Sequence, residues 1–201
     1  MRSDFSNWNP YSLEQIKVLF SAADFKWGIA GGWAIDLYIE RQTRQHEDMD
    51  ILILSSEQQN LFNYLKSFTV YVAKDGKLSI WSGQKIDDSC SLWVSEHQST
   101  PFIFEILLMD IVEDKWIYKR DRKINGELNS LFIESKYDVK IVAPEVQLLY
   151  KLGASSIRDK DIQDLKAVYK FLDASQLEWL EASLNAQFLI ETTDKYDIDW
   201  G

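Results

Sequence analysis

Asp48 and Asp50 stand one residue apart at the head of an apolar run, Asp48-Met49-Asp50-Ile51-Leu52-Ile53-Leu54. Extended backbone points alternate side chains the same way, so the two carboxylates share a face while Met49 turns to the other. Side by side they repel and raise each other's pKa unless a cation lies between them. A divalent metal is the natural partner: Mg2+ takes hard oxygen ligands, commonly one or two carboxylates together with substrate phosphates. Upstream, Gly31 and Gly32 follow a short apolar run, Trp27-Gly28-Ile29-Ala30, and open a second apolar segment. Backbone can approach a ligand closely there, and N–H groups at a helix start can face an anion. Phosphate at the turn and metal at the strand suit one kind of substrate, a nucleoside triphosphate.

Several elements must position these groups. Residues 12–24 carry Leu13, Ile16, Leu19, Phe20 and Ala23 at helical spacing, with Ser12 and Gln15 placed for a capping box. Residues 25–30 read as the first strand, and residues 33–40 are so uniformly apolar that they predict a largely buried helix. Asp36 interrupts that helix and is expected to pair with a nearby arginine. Residues 41–47 form a polar loop that delivers the chain to Asp48, and Arg44 and His46 lie on it. Arg44 has two readings, a fork of donors to phosphate or a bridge to Asp36 or Glu47; His46 reads as a brace for the loop.

After Leu54, Ser55 or Ser56 is expected to cap a helix running to residue 67. Strands are predicted at 69–73, 77–81, 90–95 and 102–109, separated by turn residues at Asp75-Gly76, at Gly83 and before Pro101. Shorter ones are expected after Trp116 and at 131–135 and 139–142. Glu105 lies inside the otherwise apolar run at 102–109, where an unpaired charge would be costly; Asp110 reads as a solvated residue ending that strand. From Pro144 the pattern turns helical, with apolar faces built on Val146 and Leu149, on Ile162, Leu165 and Val168, and on Leu177, Leu180 and Leu184. The acidic stretch from residue 191 is expected to be frayed or lightly docked.

The ordered set Gly31-Gly32-Trp33 then Asp48-Met49-Asp50 resembles the nucleotidyltransferases of the polymerase β-like superfamily. The whole stretch GGWAIDLYIERQTRQHEDMDILIL is similar to the aminoglycoside 2''-nucleotidyltransferases and lincosamide nucleotidyltransferases, where a Gly-Gly-Trp turn, an Arg-x-Thr-Arg-x-His loop and paired aspartates occur together. The resemblance implies an α+β polymerase β-like fold, a mixed sheet flanked by helices, with residues 1–143 as the catalytic domain and 144–201 as a C-terminal helical unit packed on it. It implies a third carboxylate on the neighbouring strand, a position Glu105 matches, serving as metal ligand and general base beside Asp48 and Asp50. Gly31, Gly32, Arg44 and Lys151 would then bind the nucleotide. Lys160, Asp161 and Asp164 are either a polar cluster at the cleft or a solvated helix face with a Lys160/Asp164 pair. The implied reaction moves AMP from ATP, with two Mg2+ ions, onto a hydroxyl of a small acceptor such as an aminoglycoside or lincosamide antibiotic.

Composition bounds the rest. The 201 residues are 46% hydrophobic and 13% aromatic, which favours a packed fold over disorder. No apolar run is long enough to span a bilayer and the first residues lack a signal-peptide core, so a cytoplasmic protein is expected. The single cysteine, Cys90, is read as structural. A net charge of −10 disfavours nucleic acid and suits a cationic acceptor. Two other readings stay open: a toxin-like nucleotidyltransferase acting on RNA or protein, and a nucleotide-binding protein without catalysis.

Overall fold

The computed structural model of the protein describes residues 2–188; the acidic stretch expected to dock lightly lies outside them. The helix α1 (Leu13–Phe20) starts with the expected capping box, in which Ser12 and Gln15 satisfy each other's backbone N–H. Then come β1 (Trp27–Ile29), α2 (Gly31–Tyr38) and β2 (Asp50–Leu54). A short 3-10 turn (Ser55–Glu57) leads into α3 (Gln58–Tyr64), which has no serine cap because the turn takes up both serines. Five strands follow: β3 (Thr69–Lys74), β4 (Lys77–Ile80), β5 (Ser91–Ser95), β6 (Phe102–Val112) and β7 (Lys115–Ile117). Three short strands, β8 (Asn125–Glu127), β9 (Phe132–Glu134) and β10 (Lys140–Val142), precede the helices α4 (Pro144–Leu152), α5 (Asp159–Val168) and α6 (Ala174–Phe188).

The strands form one mixed sheet in the order β4-β3-β5-β6-β2-β1-β10-β9, with β7 and β8 folded onto the far end of β6. The pairs β2/β6 and β1/β10 are parallel, and the other pairs are antiparallel. The expected α+β architecture, a mixed sheet flanked by helices, is therefore what the chain adopts. One expectation about β6 needs correcting. Asp110 does not end the strand: β6 continues to Val112 because the hairpin to β7 pairs Asp110 with Ile117 and extends the ladder. Asp110 also meets Arg122 at 3.1 Å.

Both faces of the sheet are covered, and the alternation along β2 shows how. Ile51 and Ile53 enter the core beneath α1 and α3, with Ile16, Phe20, Leu61 and Phe104. Leu52 and Leu54 face the other way, into the core formed with α2, α4, α5 and α6 through Ile35, Leu149, Leu165 and Leu180. Asp50 is in step with Leu52 and Leu54, so it emerges on the face that α2 and α4 cover. Glu105 is in step with Leu107 and Met109 of that same face and lies opposite Asp50 in the parallel register. This explains a carboxylate inside an apolar strand: Leu107 and Met109 pack against the helices on this face, and Glu105 precedes them at the level where β2 begins with Asp50. Among the described residues, no helix is long and apolar enough to cross a membrane.

Candidate active site

The register places Asp50 against Glu105, and Asp48 lies just before β2 in extended chain tied to β6 by the Glu105 N–H to Met49 O bond of 2.8 Å. One carboxylate oxygen from each of Asp48, Asp50 and Glu105 lies within 4.8 Å of the others, and all three residues are half-buried. Burial pushes Asp50 well above the usual carboxylate range, and the charges of Glu105 and Asp48 push it further; Lys151 and Lys160 offset only part of this. Glu105 is raised for the same first reason, burial, although its cross-strand neighbours Ser91 and Trp93 favour its charged form. Three hard oxygen donors this close, two of them with burial opposing their ionisation, fit a divalent cation.

The Gly-Gly turn shapes this site by what it lacks. Gly31 has φ +66, and a Cβ there would collide with the Asp50 carboxylate; a Cβ on Gly32 would strike the Arg44 guanidinium and the His46 ring. Both positions must therefore be side-chain-free for β2 and the loop to close on the start of α2. The Gly31 N–H is not presented to a ligand, as the sequence suggested, because it donates to Gln147 Oε1 at 2.8 Å inside the core. The first backbone bond of α2 runs from Ala34 to Ala30, so the N–H groups of Gly32 and Trp33 precede it. Gln147 was not singled out from the sequence, although a glutamine within the apolar pattern of α4 is a visible signal of a buried polar contact.

The loop before Asp48 is braced from beneath. His46 Nε2 lies 2.5 Å from Asp36 Oδ2, and Thr43 donates to Asp36 Oδ1 through both its N–H (3.2 Å) and its hydroxyl (2.6 Å). Asp36 thus pairs with a histidine and a threonine rather than an arginine, since α2 turns it inward toward the loop. His46 serves as the brace expected of it.

Arg44 reaches neither Asp36 nor Glu47. Its Nε and Nη2 donate bidentately to Asp164 on α5, at 2.9 and 3.0 Å. Lys151 joins the same carboxylate at 2.7 Å and lies 3.7 Å from Asp161, which Arg158 clasps through Nε and Nη2 at 2.8 and 2.9 Å. Asp161 and Asp164 are 1% and 0% exposed, so the solvated helix face is excluded and the polar cluster stands. Burial raises both carboxylates, yet Arg158 for one, and Arg44 with Lys151 for the other, bring them below the ordinary value. The Lys160/Asp164 pair does not form, because Asp164 turns inward to Arg44 and Lys151. Lys160 instead contributes charge toward Asp50, as Arg158 does toward Asp48 and Asp50 and Lys119 toward Glu105.

The cleft thus joins a carboxylate trio to a rim of cations, a combination that matches a metal-bound polyphosphate better than either element alone. The sequence did not single out Lys119, Arg158 or Trp93, because their nearness to the trio depends on strand register and helix docking.

Residues 12–88 match the model of a family described as Aminoglycoside-2''-adenylyltransferase, a stretch that includes the Gly-Gly turn, the braced loop and both aspartates. No curated protein matches the chain significantly in sequence. The lincosamide antibiotic adenylyltransferase LnuA, solved with lincomycin bound, superposes with a TM-score of 0.55 at 19% identity, covering 82% of this chain and 100% of that one. ANT(2")-Ia in complex with adenylyl-2"-tobramycin superposes with a TM-score of 0.57 at 14% identity, covering 88% of this chain and 96% of that one. The fold is that of these nucleotidyltransferases, and the resemblance to an adenylyltransferase enzyme family read from the sequence is borne out by the family match.

Proposed function

We propose that the protein is a metal-dependent nucleotidyltransferase that moves a nucleoside monophosphate, AMP from ATP, onto a hydroxyl of a small acceptor in the antibiotic class, an aminoglycoside or a lincosamide. The observation that carries this reading is the convergence of Asp48, Asp50 and Glu105 from adjoining strands. Their mutual repulsion is intelligible if cations are to be held there. Mg2+ ions held by these three residues would supply charge neutralisation on the triphosphate and its leaving group.

The chain's own residues do the rest. Gly32 offers its N–H at the start of α2 to a phosphate, and Gly31 lets the Asp50 carboxylate sit against the turn. Arg44 and Lys151, both anchored on Asp164, direct their remaining donors at the triphosphate. Glu105 takes the proton of the acceptor hydroxyl. The hydroxyl oxygen then bonds to the α-phosphorus as the bond to the bridging oxygen breaks, and pyrophosphate leaves. We assign the catalytic unit to residues 1–143 and a C-terminal helical unit packed on it to 144–201, of which residues 144–188 are described.

The test is pyrophosphate release with aminoglycosides, lincosamides and tRNA, each with the four nucleoside triphosphates and Mg2+. Release with an antibiotic, lost in Asp48→Asn, is the expected result. Release with tRNA alone would remove the antibiotic reading, and nucleotide binding without release for any acceptor would favour a non-catalytic protein.

A further inference from the structure

Residues 7–11 run alongside the start of β6, a few residues before Glu105, with Trp8 bridged in parallel to Phe102. They are tied there by bonds from Phe102 N to Asn7 O (2.8 Å), Asn9 N to Phe102 O (2.9 Å) and Tyr11 N to Ile103 O (2.9 Å). Arg2 anchors the start of this strap, donating to Ser95 Oγ at 2.9 Å and Thr100 O at 2.7 Å, with its guanidinium 3.7 Å from the centre of the Phe102 ring. A loosely held terminus would not spend a nearly buried arginine on three partners.

The strap grips one residue in particular. Trp93 is met edge-on by Trp8 at 4.9 Å, by Phe102 at 4.9 Å and by Phe5 at 6.0 Å. It is the cross-strand partner of Glu105 on the face that carries the carboxylate trio. Its indole N–H is buried yet makes no well-formed hydrogen bond with any described residue. A donor that has lost water and found no acceptor is costly, and it persists on the residue that stands opposite Glu105 in the ladder.

We propose that the N-terminal strap is part of the metal site: it clamps Trp93 so that the indole N–H fixes the Glu105 carboxylate in its ligating orientation, which makes Trp93 a positioning residue. The inference rests on the reading of Asp48, Asp50 and Glu105 as metal ligands. Outer partners of ligating carboxylates govern affinity, and their loss typically weakens metal binding by roughly 10- to 100-fold.

Mn2+ binding to the full chain, measured by calorimetry with α,β-methylene-ATP present, tests this without any acceptor. Trp93→Phe keeps a ring and removes the N–H, and it is expected to weaken Mn2+ by about tenfold or more. Trp8→Ala, which touches no ligand, is expected to weaken it in the same direction, and the double variant should be no weaker than Trp93→Phe alone because both act through one indole. Trp8→Phe should restore the affinity, which separates positioning from general loss of fold, as does an unchanged melting temperature. Equal affinity in wild type and Trp93→Phe, or fully additive effects of the two substitutions, would overturn the proposal. If Glu105→Gln binds Mn2+ as tightly as wild type, or wild type does not bind it, the metal-site reading itself fails and takes this inference with it.

Discussion

Two clusters of charge lie side by side in this site and are built on opposite principles. In the Arg44–Asp164–Lys151–Asp161–Arg158 cluster every carboxylate has cationic partners at hydrogen-bonding distance, and both aspartates are held below their usual pKa. In the Asp48–Asp50–Glu105 cluster the carboxylates face one another, and Asp50 and Glu105 are pushed up. The first arrangement is complete within the chain and joins the loop before Asp48 to α4 and α5. The second leaves its carboxylates facing one another, an arrangement the proposed metal ions would neutralise. Carboxylates that cations satisfy within the chain serve as framework; carboxylates that oppose one another are where the proposed metal would be received.

The contrast can be broken most sharply by substitutions that should separate activity from stability. Asp50→Asn is expected to cost on the order of a thousandfold in turnover, comparable to losing a principal electrostatic group. Because it relieves repulsion, its melting temperature without metal should be no lower than wild type, and a gain on the order of 1 kcal/mol would appear as a rise of roughly 2–4 °C. A large drop in melting temperature would mean that the trio is structural. Asp164→Ala should instead lower stability, by about 3–5 kcal/mol in denaturant titration, because it leaves Arg44 and Lys151 without their shared partner. If its stability were unchanged, the framework role would be lost.

Added Mg2+ should raise the melting temperature of wild type and not that of Glu105→Gln; at a hundredfold excess over its dissociation constant the stabilisation is about 2.7 kcal/mol. Equal shifts in both proteins would place the ion elsewhere. The smallest effect is a pH dependence. Asp161 and Asp164 have folded-state pKa values below the ordinary aspartate value, so their contribution is present above that ordinary value and is lost as pH falls through the depressed one. Stability should therefore decline more steeply below about pH 4 in wild type than in Asp164→Asn, as read by denaturant midpoints across the acid range. Parallel declines would show that the cluster is not balanced as described.

Much of this site was legible because its motifs are local. The Gly-Gly turn, the braced loop and the paired aspartates lie within two dozen residues, and turn chemistry and strand alternation are properties of neighbouring residues. Glu105 could be singled out because a carboxylate in an apolar strand violates the pattern around it. Asp161 and Asp164 were less readable: an i, i+3 aspartate pair on a polar helix looks the same whether it faces water or a buried arginine. Asp36 failed for a similar reason, since its partner depended on how the loop folded back over α2.

The sequence by itself determined the α+β pattern and the candidate residues of the Gly-Gly turn, the loop and the paired aspartates, because local periodicity and covalent spacing carry that information. Only the tertiary structure decided which charges meet. Asp50 opposite Glu105, Arg44 on Asp164, Gly31 on Gln147 and Trp93 beneath the N-terminal strap are contacts between residues 55 to 120 positions apart. Their partners are chosen by strand register and helix docking, which follow from the burial of the whole apolar surface and not from any one stretch of chain.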